Sequence, residues 1–182
     1  MTINHPELKK RFCHVCGESL IETYWEGRNR PFCPRCRLPV YENPVPASAI
    51  VVLDKSADIL LVKRNVEPKK GYWSLPGGFM ELSETPESSA LRELKEETGL
   101  TGTLDVLLGL KAHKSERYGT VLIAGYLVTD FSGDLMPGDD AEEVAFFHPA
   151  GLPEIAFSSH DHFICIALKY MAGEPLPPPE PG

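Results

Sequence analysis

Between Gly78 and Leu100 the chain reads GFMELSETPESSALRELKEETGL, which places Glu93, Glu96 and Glu97 in one short run bounded by turn formers. Leu75-Pro76-Gly77-Gly78 precede it and Gly99 closes it. Thr85 suits an N-cap, Pro86 the first helical position, Glu87 the positive end of the helix dipole and Gly99 the C-terminal stop. The pattern predicts a helix over 86–98. On that helix the three glutamates stand at i, i+3 and i+4, so their carboxylates project from one face within a single turn. Like charges at that spacing weaken an isolated helix by a few tenths of a kcal/mol per pair, so a cation should offset them. Hard oxygen donors without His or Cys suit Mg²⁺ or Mn²⁺ rather than zinc. A solvated acidic face is the alternative reading of the same residues.

The remaining composition narrows the class. A chain of 182 residues with 42% hydrophobic content allows one ordinary domain and a small module. Its formal net charge of −8 disfavours broad binding to nucleic acid, which needs a positive footprint. No run approaches the ~20 apolar residues of a membrane span, and MTINHPELKKRF lacks the apolar centre of a signal peptide. A cytoplasmic protein with no membrane partner is expected.

Four of the five cysteines pair as Cys13-His-Val-Cys16 and Cys33-Pro-Arg-Cys36. That spacing reads as a four-thiolate zinc site over 1–40, with two disulfides as the alternative. A ribbon so small buries little apolar surface, so the metal would contribute its folding energy. Four thiolates fill the coordination shell, which makes such a zinc structural and leaves His14 exposed. Cys165, in an apolar helical run, is expected in the core.

Residues 20–25 read as a strand and 26–30 as a turn, followed by a proline-punctuated linker over 37–46. Residues 47–53 read as a buried strand with 59–63 as its hairpin partner. Trp73 reads as a packing residue at the entry to the glycine loop, with base stacking as its alternative. Strand candidates follow at 104–112 and 120–128, a further short one before Met136, and one over 142–147. A last helix spans 159–171. Its His160 and His162, at i and i+2, diverge and make poor co-ligands, so capping or surface roles are expected. The tail over 173–182 is proline-dense and expected to be extended or disordered. Strands, a central helix after a glycine loop, more strands and a last helix suggest an α+β fold, an α/β/α sandwich with a mixed sheet.

Gly78, five residues, Glu84, seven residues, then Arg92-Glu93-Leu94-Lys95-Glu96-Glu97-Thr98-Gly99-Leu100 resembles the signature of the Nudix hydrolases. The resemblance implies the same sandwich, over 41–172, and Mg²⁺- or Mn²⁺-dependent hydrolysis of a nucleoside diphosphate linked to another group. It implies that Glu93, Glu96 and Glu97 hold the metal, that the backbone carbonyl of Gly77 approaches it, and that Arg92 and Glu84 form a supporting ion pair. Glu143 is similar in position to a downstream glutamate that serves as extra ligand or base, with Glu142 as its rival. The four cysteines and the Tyr41-Glu42-Asn43-Pro44 segment resemble the zinc-ribbon members, which include NADH, ADP-ribose and FAD pyrophosphatases. A Ser-Gln-Pro-Trp-Pro-Phe-Pro run typical of the NADH enzymes is missing, which favours ADP-ribose or FAD. Tyr72, Arg64, Lys114 and Arg117 are the residues offered for substrate contact, although solvated loop charge explains Lys114 and Arg117 as well. A homodimer is expected by the same resemblance. The competing function class is a ligand-sensing or interaction module that binds a nucleotide, nucleic acid or protein without turnover.

Overall fold

A computed structural model of the chain describes residues 10–138 and 140–178. The chain divides into two compact units, one running up to Pro44 with Lys114–Thr120 added, the other comprising Val45–His113 and the chain from Val121 onward. Among the described residues no helix is long and apolar enough to cross a membrane.

The first unit is built on β1 (Ile21–Trp25), β2 (Arg28–Cys33) and β3 (Leu38–Pro39), in that order in one antiparallel sheet. The expected turn over 26–30 contracts to Glu26-Gly27, both with positive φ, so the strands close on a two-residue hairpin. The expected linker is shorter too. Val40 is buried and donates its N–H to the Pro31 carbonyl at 2.7 Å, which ties its first residues to the sheet.

The second unit contains β4 (Val45–Val52), β5 (Ile59–Arg64), β6 (Trp73–Ser74), α1 (Pro86–Thr98) and β7 (Thr101–Thr103). It continues with β8 (Val106–Ser115), β9 (Gly119–Val128), β10 (Asp130–Ser132), β11 (Ala141–Phe147) and α2 (Ser158–Met171). β4 pairs in parallel with β9, which pairs with β8 on its other edge, while β5 lies between β11 and β6 with antiparallel partners. The sheets are therefore mixed, as expected. The short β7–β10 ladder joins Thr101–Thr103 to Asp130–Ser132, and its first strand follows the helix too closely to be read from the sequence.

The hairpin between β4 and β5 does not form. Among the described residues a single antiparallel bridge, Leu53↔Ile59, connects them, and each strand takes its neighbours elsewhere. Both strands are buried over four or more consecutive residues, the signature of strands covered on both faces rather than of an amphipathic hairpin. The Asp54 carboxylate accepts the N–H groups of Ser56 and Asp58 at 2.8 and 2.9 Å, which reverses the chain while the strands part.

Two apolar clusters hold the layers. On one face Ala90 and Leu94 of α1 meet Ile50, Val52, Leu60, Ala124, Tyr126 and Val128. On the other, Phe163, Ile164 and Ala167 of α2 pack with Val51, Leu61, Ile123 and Leu127. The result is the expected α/β/α sandwich. Leu94 is fully buried, worth on the order of 2–3 kcal/mol. Cys165 is exposed, contrary to expectation, because the buried positions 160, 163, 164 and 167 follow the helical repeat and 165 falls on the opposite side. In the tail, Leu176 packs against the larger cluster, while the expectation for residues 179–182 lies outside the described residues.

Candidate active site and metal centre

The helix forms as its caps dictate. Thr85 takes an extended conformation and its hydroxyl accepts the Ser88 N–H at 3.2 Å, while Ser88 returns a bond to the Thr85 N–H at 2.9 Å. Gly99 ends it in the left-handed region, with its N–H on the Lys95 carbonyl. Ser48 and Ser89 hydroxyls, 3.3 Å apart, join β4 to the buried side of α1.

The glycine loop runs alongside β4. Ile50 and Ser48 donate to the carbonyls of Pro76 and Gly78, each at 2.9 Å, and Met80 donates to Pro46 at 3.2 Å. Gly77 has φ +148, and a Cβ there would collide with the Ser48 carbonyl oxygen. The next residue is constrained by the helix, since a Cβ on Gly78 would run into the Glu93 carboxylate. The Gly77 N–H points at the helix and donates to Glu97 Oε2 at 2.9 Å.

Arg92 organises the rest of the acidic face. Its Nε and one terminal nitrogen grip both oxygens of Glu84, at 2.6 and 3.0 Å, and its other nitrogen reaches Glu93 Oε1 at 2.8 Å and Glu96 Oε2 at 2.9 Å. Arg92 holds Glu84 down to about 2, whereas burial pushes Glu93 up and raises Glu97 to about 8. Each helix glutamate thus gives one oxygen to the protein and leaves the other (Glu93 Oε2, Glu96 Oε1, Glu97 Oε1) outside these bonds. The donor set is one that a hard divalent cation takes. Among the described residues, only the four cysteines bring ligand atoms from three or more residues within 4.8 Å of one another.

Arg64 is a cation whose charge reaches Glu97. Its half-buried guanidinium donates from Nε to the Pro68 carbonyl at 2.9 Å, lies 5.1 Å from the Phe157 ring centre, and feels the charges of Glu97 and Asp140. Tyr72 carries Lys69 over its ring at 5.0 Å. Trp73 packs edge-on against Phe147, with ring centres 4.7 Å apart, and is half-buried against the core, which is the packing reading. Lys114 and Arg117 fall in the first unit, where Arg117 stacks over Tyr118. Glu142 and Glu143 both lie beside Lys63, at 3.2 and 3.8 Å, because a bulge between Ala141 and Glu143 shifts the register of β11 on β5.

His160 is neither a cap nor a surface group. It is buried, and its Nδ1 accepts the Leu75 N–H at 3.0 Å. Burial holds its pKa down at about 3, with Arg64 and His113 acting in the same direction. Pairing it with His162 hid the stronger signal, its place three and four residues before Phe163 and Ile164 on the apolar face.

In the first unit the Sγ atoms of Cys13 and Cys36 are 4.0 Å apart and those of Cys16 and Cys33 are 3.5 Å apart. All five cysteines are free here, and these sulfur separations are well beyond the roughly 2.05 Å of a disulfide bond. An ion bonded tetrahedrally at about 2.3 Å would separate its sulfurs by about 3.8 Å, so the cluster fits zinc. Matching knuckles build it. The N–H groups of Gly17 and Arg37, both with positive φ, return to the carbonyls of Cys13 and Cys33 at 2.9 and 2.8 Å. The Val15 N–H draws the Cys13 thiol down to about 7, while Cys16 pushes Cys36 up to about 12.

A family model of the NUDIX domain matches residues 43–165. An ADP-ribose pyrophosphatase of Methanocaldococcus jannaschii is 38% identical over 123 residues, 67% of this chain and 72% of that protein. An NAD-capped RNA hydrolase NudC of Pseudomonas aeruginosa is 27% identical over 173 residues, 92% of this chain but 60% of that protein. Among solved structures, a NUDIX hydrolase from Nitrosomonas europaea superposes with a TM-score of 0.74 at 29% identity, covering 91% of this chain and 95% of that one.

Proposed function

The chain belongs to the NUDIX hydrolase family, and on that premise we propose that it hydrolyses the pyrophosphate bond of a nucleoside diphosphate linked to a second group, with ADP-ribose the first substrate to test and FAD and NADH after it. The observation that carries the reading is the acidic face of α1, where, among the described residues, three carboxylates each keep one oxygen outside the hydrogen bonds given above. A divalent ion, Mg²⁺ or Mn²⁺, would supply an activated water and neutralise charge on the diphosphate oxygens.

The side chains divide the remaining work. Glu93, Glu96 and Glu97 would hold the ion, and the bond from Gly77 engages Glu97 Oε2 and leaves Oε1 for it. Arg92 and Glu84 lock the helix face in place. Burial raises the Glu97 carboxyl to about 8, so a bound cation would have to displace its proton. Arg64, whose charge reaches Glu97, is the cation suited to steady a substrate phosphate. Glu143 stays a candidate for the base, with Lys63 holding its carboxylate. In the first unit Cys13, Cys16, Cys33 and Cys36 hold a structural zinc.

The test is a panel of ADP-ribose, FAD, NADH and nucleoside triphosphates incubated with Mg²⁺, with products identified by mass. Metal-dependent release of a nucleoside monophosphate from a dinucleotide or sugar diphosphate supports the reading. Tight ligand binding with no turnover would favour the sensing module instead.

A further inference from the structure

We propose that His160 is a positioning residue for the glycine loop, setting through Leu75 and Gly77 the orientation of the Glu97 carboxylate. The inference rests on the reading of Glu97 given above.

The glycine loop is strapped down where it begins. Trp73 pairs in parallel with Ile155: its N–H donates to the Glu154 carbonyl at 3.3 Å, and its carbonyl accepts the Ala156 N–H at 2.7 Å. In a continuing parallel ladder the Leu75 N–H would next donate to the Ala156 carbonyl. The chain turns away into α2 at Ser158, and the imidazole of His160 stands where that rung would be, accepting the Leu75 N–H at 3.0 Å. A side chain thus completes a backbone ladder at the point where the loop begins.

Two residues later the loop makes its contact with the helix, through the Gly77 N–H and Glu97 Oε2. Between them Pro76 is fixed by Ile50, so the segment from Trp73 to Gly78 is held on both edges. Leu75 is itself buried, and without an acceptor its N–H would be orphaned beside the turn that aims Gly77. His160 is held in turn. Phe157 packs edge-on against it at 5.2 Å and against His113 at 5.6 Å, and carries Arg64 over its ring at 5.1 Å. The acceptor role demands the tautomer with its proton on Nε2.

Three variants of the full chain separate positioning from packing. Asn carries its carbonyl oxygen near the place of Nδ1, Gln carries it one bond too far, and Leu offers no acceptor. In the wild type, ¹⁵N shifts of His160 are expected to show an unprotonated Nδ1 from pH 5 to 8. The Gly77 amide should exchange at least about tenfold faster in His160→Leu than in wild type, and His160→Asn should restore it to within about threefold. For turnover, His160→Leu should lower kcat by about tenfold or more with KM changed less than about threefold, again rescued by Asn and not by Gln. Should His160→Leu not fold, the Asn and Gln pair decides. A proton on Nδ1, equal rescue by Asn and Gln, or unchanged Gly77 exchange in folded His160→Leu would each overturn the proposal. A wild type inert on every diphosphate would sink the functional reading alone, since the shifts and amide exchange need no turnover.

Discussion

The Gly77 N–H donates a 2.9 Å hydrogen bond to Glu97 across 20 residues of sequence, joining the glycine loop to the last turn of the acidic helix. That bond engages one oxygen of the Glu97 carboxylate and leaves the other outside it.

The backbone at Gly77 should be intolerant of any side chain. Its φ of +148 and the Ser48 carbonyl where a Cβ would sit predict that Gly77→Ala destabilises the second unit by about 2–4 kcal/mol and removes most activity. Chemical denaturation with a parallel rate assay checks both. An alanine variant with wild-type stability and turnover would show that the loop is free to move off β4.

Glu97 gives a pH dependence with a definite sign. Its carboxyl is raised to about 8 in the folded chain against an ordinary value near 4.3, so the folded state binds the proton more tightly than the unfolded state. The associated stability is fully present below about pH 4 and is lost as pH rises through about 8. In metal-free protein, Glu97→Gln should therefore stabilise by roughly 1–3 kcal/mol at pH 8.5 and by little at pH 4.5. Adding Mg²⁺ should stabilise the wild type at the higher pH and not the variant. Melting curves at two pH values, with and without the ion, decide the matter.

Arg92 predicts a loss that lysine does not repair. Its guanidinium serves Glu84, Glu93 and Glu96 at once, and a single ammonium cannot reproduce that fork. Arg92→Lys should lower kcat by about tenfold or more. It should also raise the pKa of Glu84 from about 2 toward the ordinary carboxylate range. Because that pKa is depressed, the stability it contributes is present above about pH 4 and lost as pH falls toward 2. The variant should accordingly show a flatter acid limb.

The sequence carried the site and the helix further than it carried the sheet. Thr85, Pro86 and Gly99 are local signals, each sufficient without knowledge of distant residues, and the helix begins and ends where they place it. Glu93, Glu96 and Glu97 share a face for the same reason. β4 and β5 show the limit, because a run such as 47–53 states that it is buried and not which strand lies beside it. Cys165 and His160 depart from expectation for a related cause: their burial depends on the phase of α2, which Phe163 and Ala167 set. Nothing local in Leu75 announces that its N–H meets a ring 85 residues later.

Zinc in the first unit is checked by metal analysis. One zinc per chain is expected, lost on substitution of Cys33, with the β1–β2 hairpin unfolding when the ion is stripped. A first unit that keeps its amide shift dispersion in strong chelator would contradict a metal-dependent fold.

The most direct test of the central claim is the anomalous scattering of Mn²⁺ in crystals grown with a non-hydrolysable ADP-ribose analogue. The account predicts peaks bonded to oxygens of Glu93, Glu96 and Glu97 and bridging to the diphosphate. Peaks elsewhere, or an analogue bound with no metal on that helix face, would contradict it.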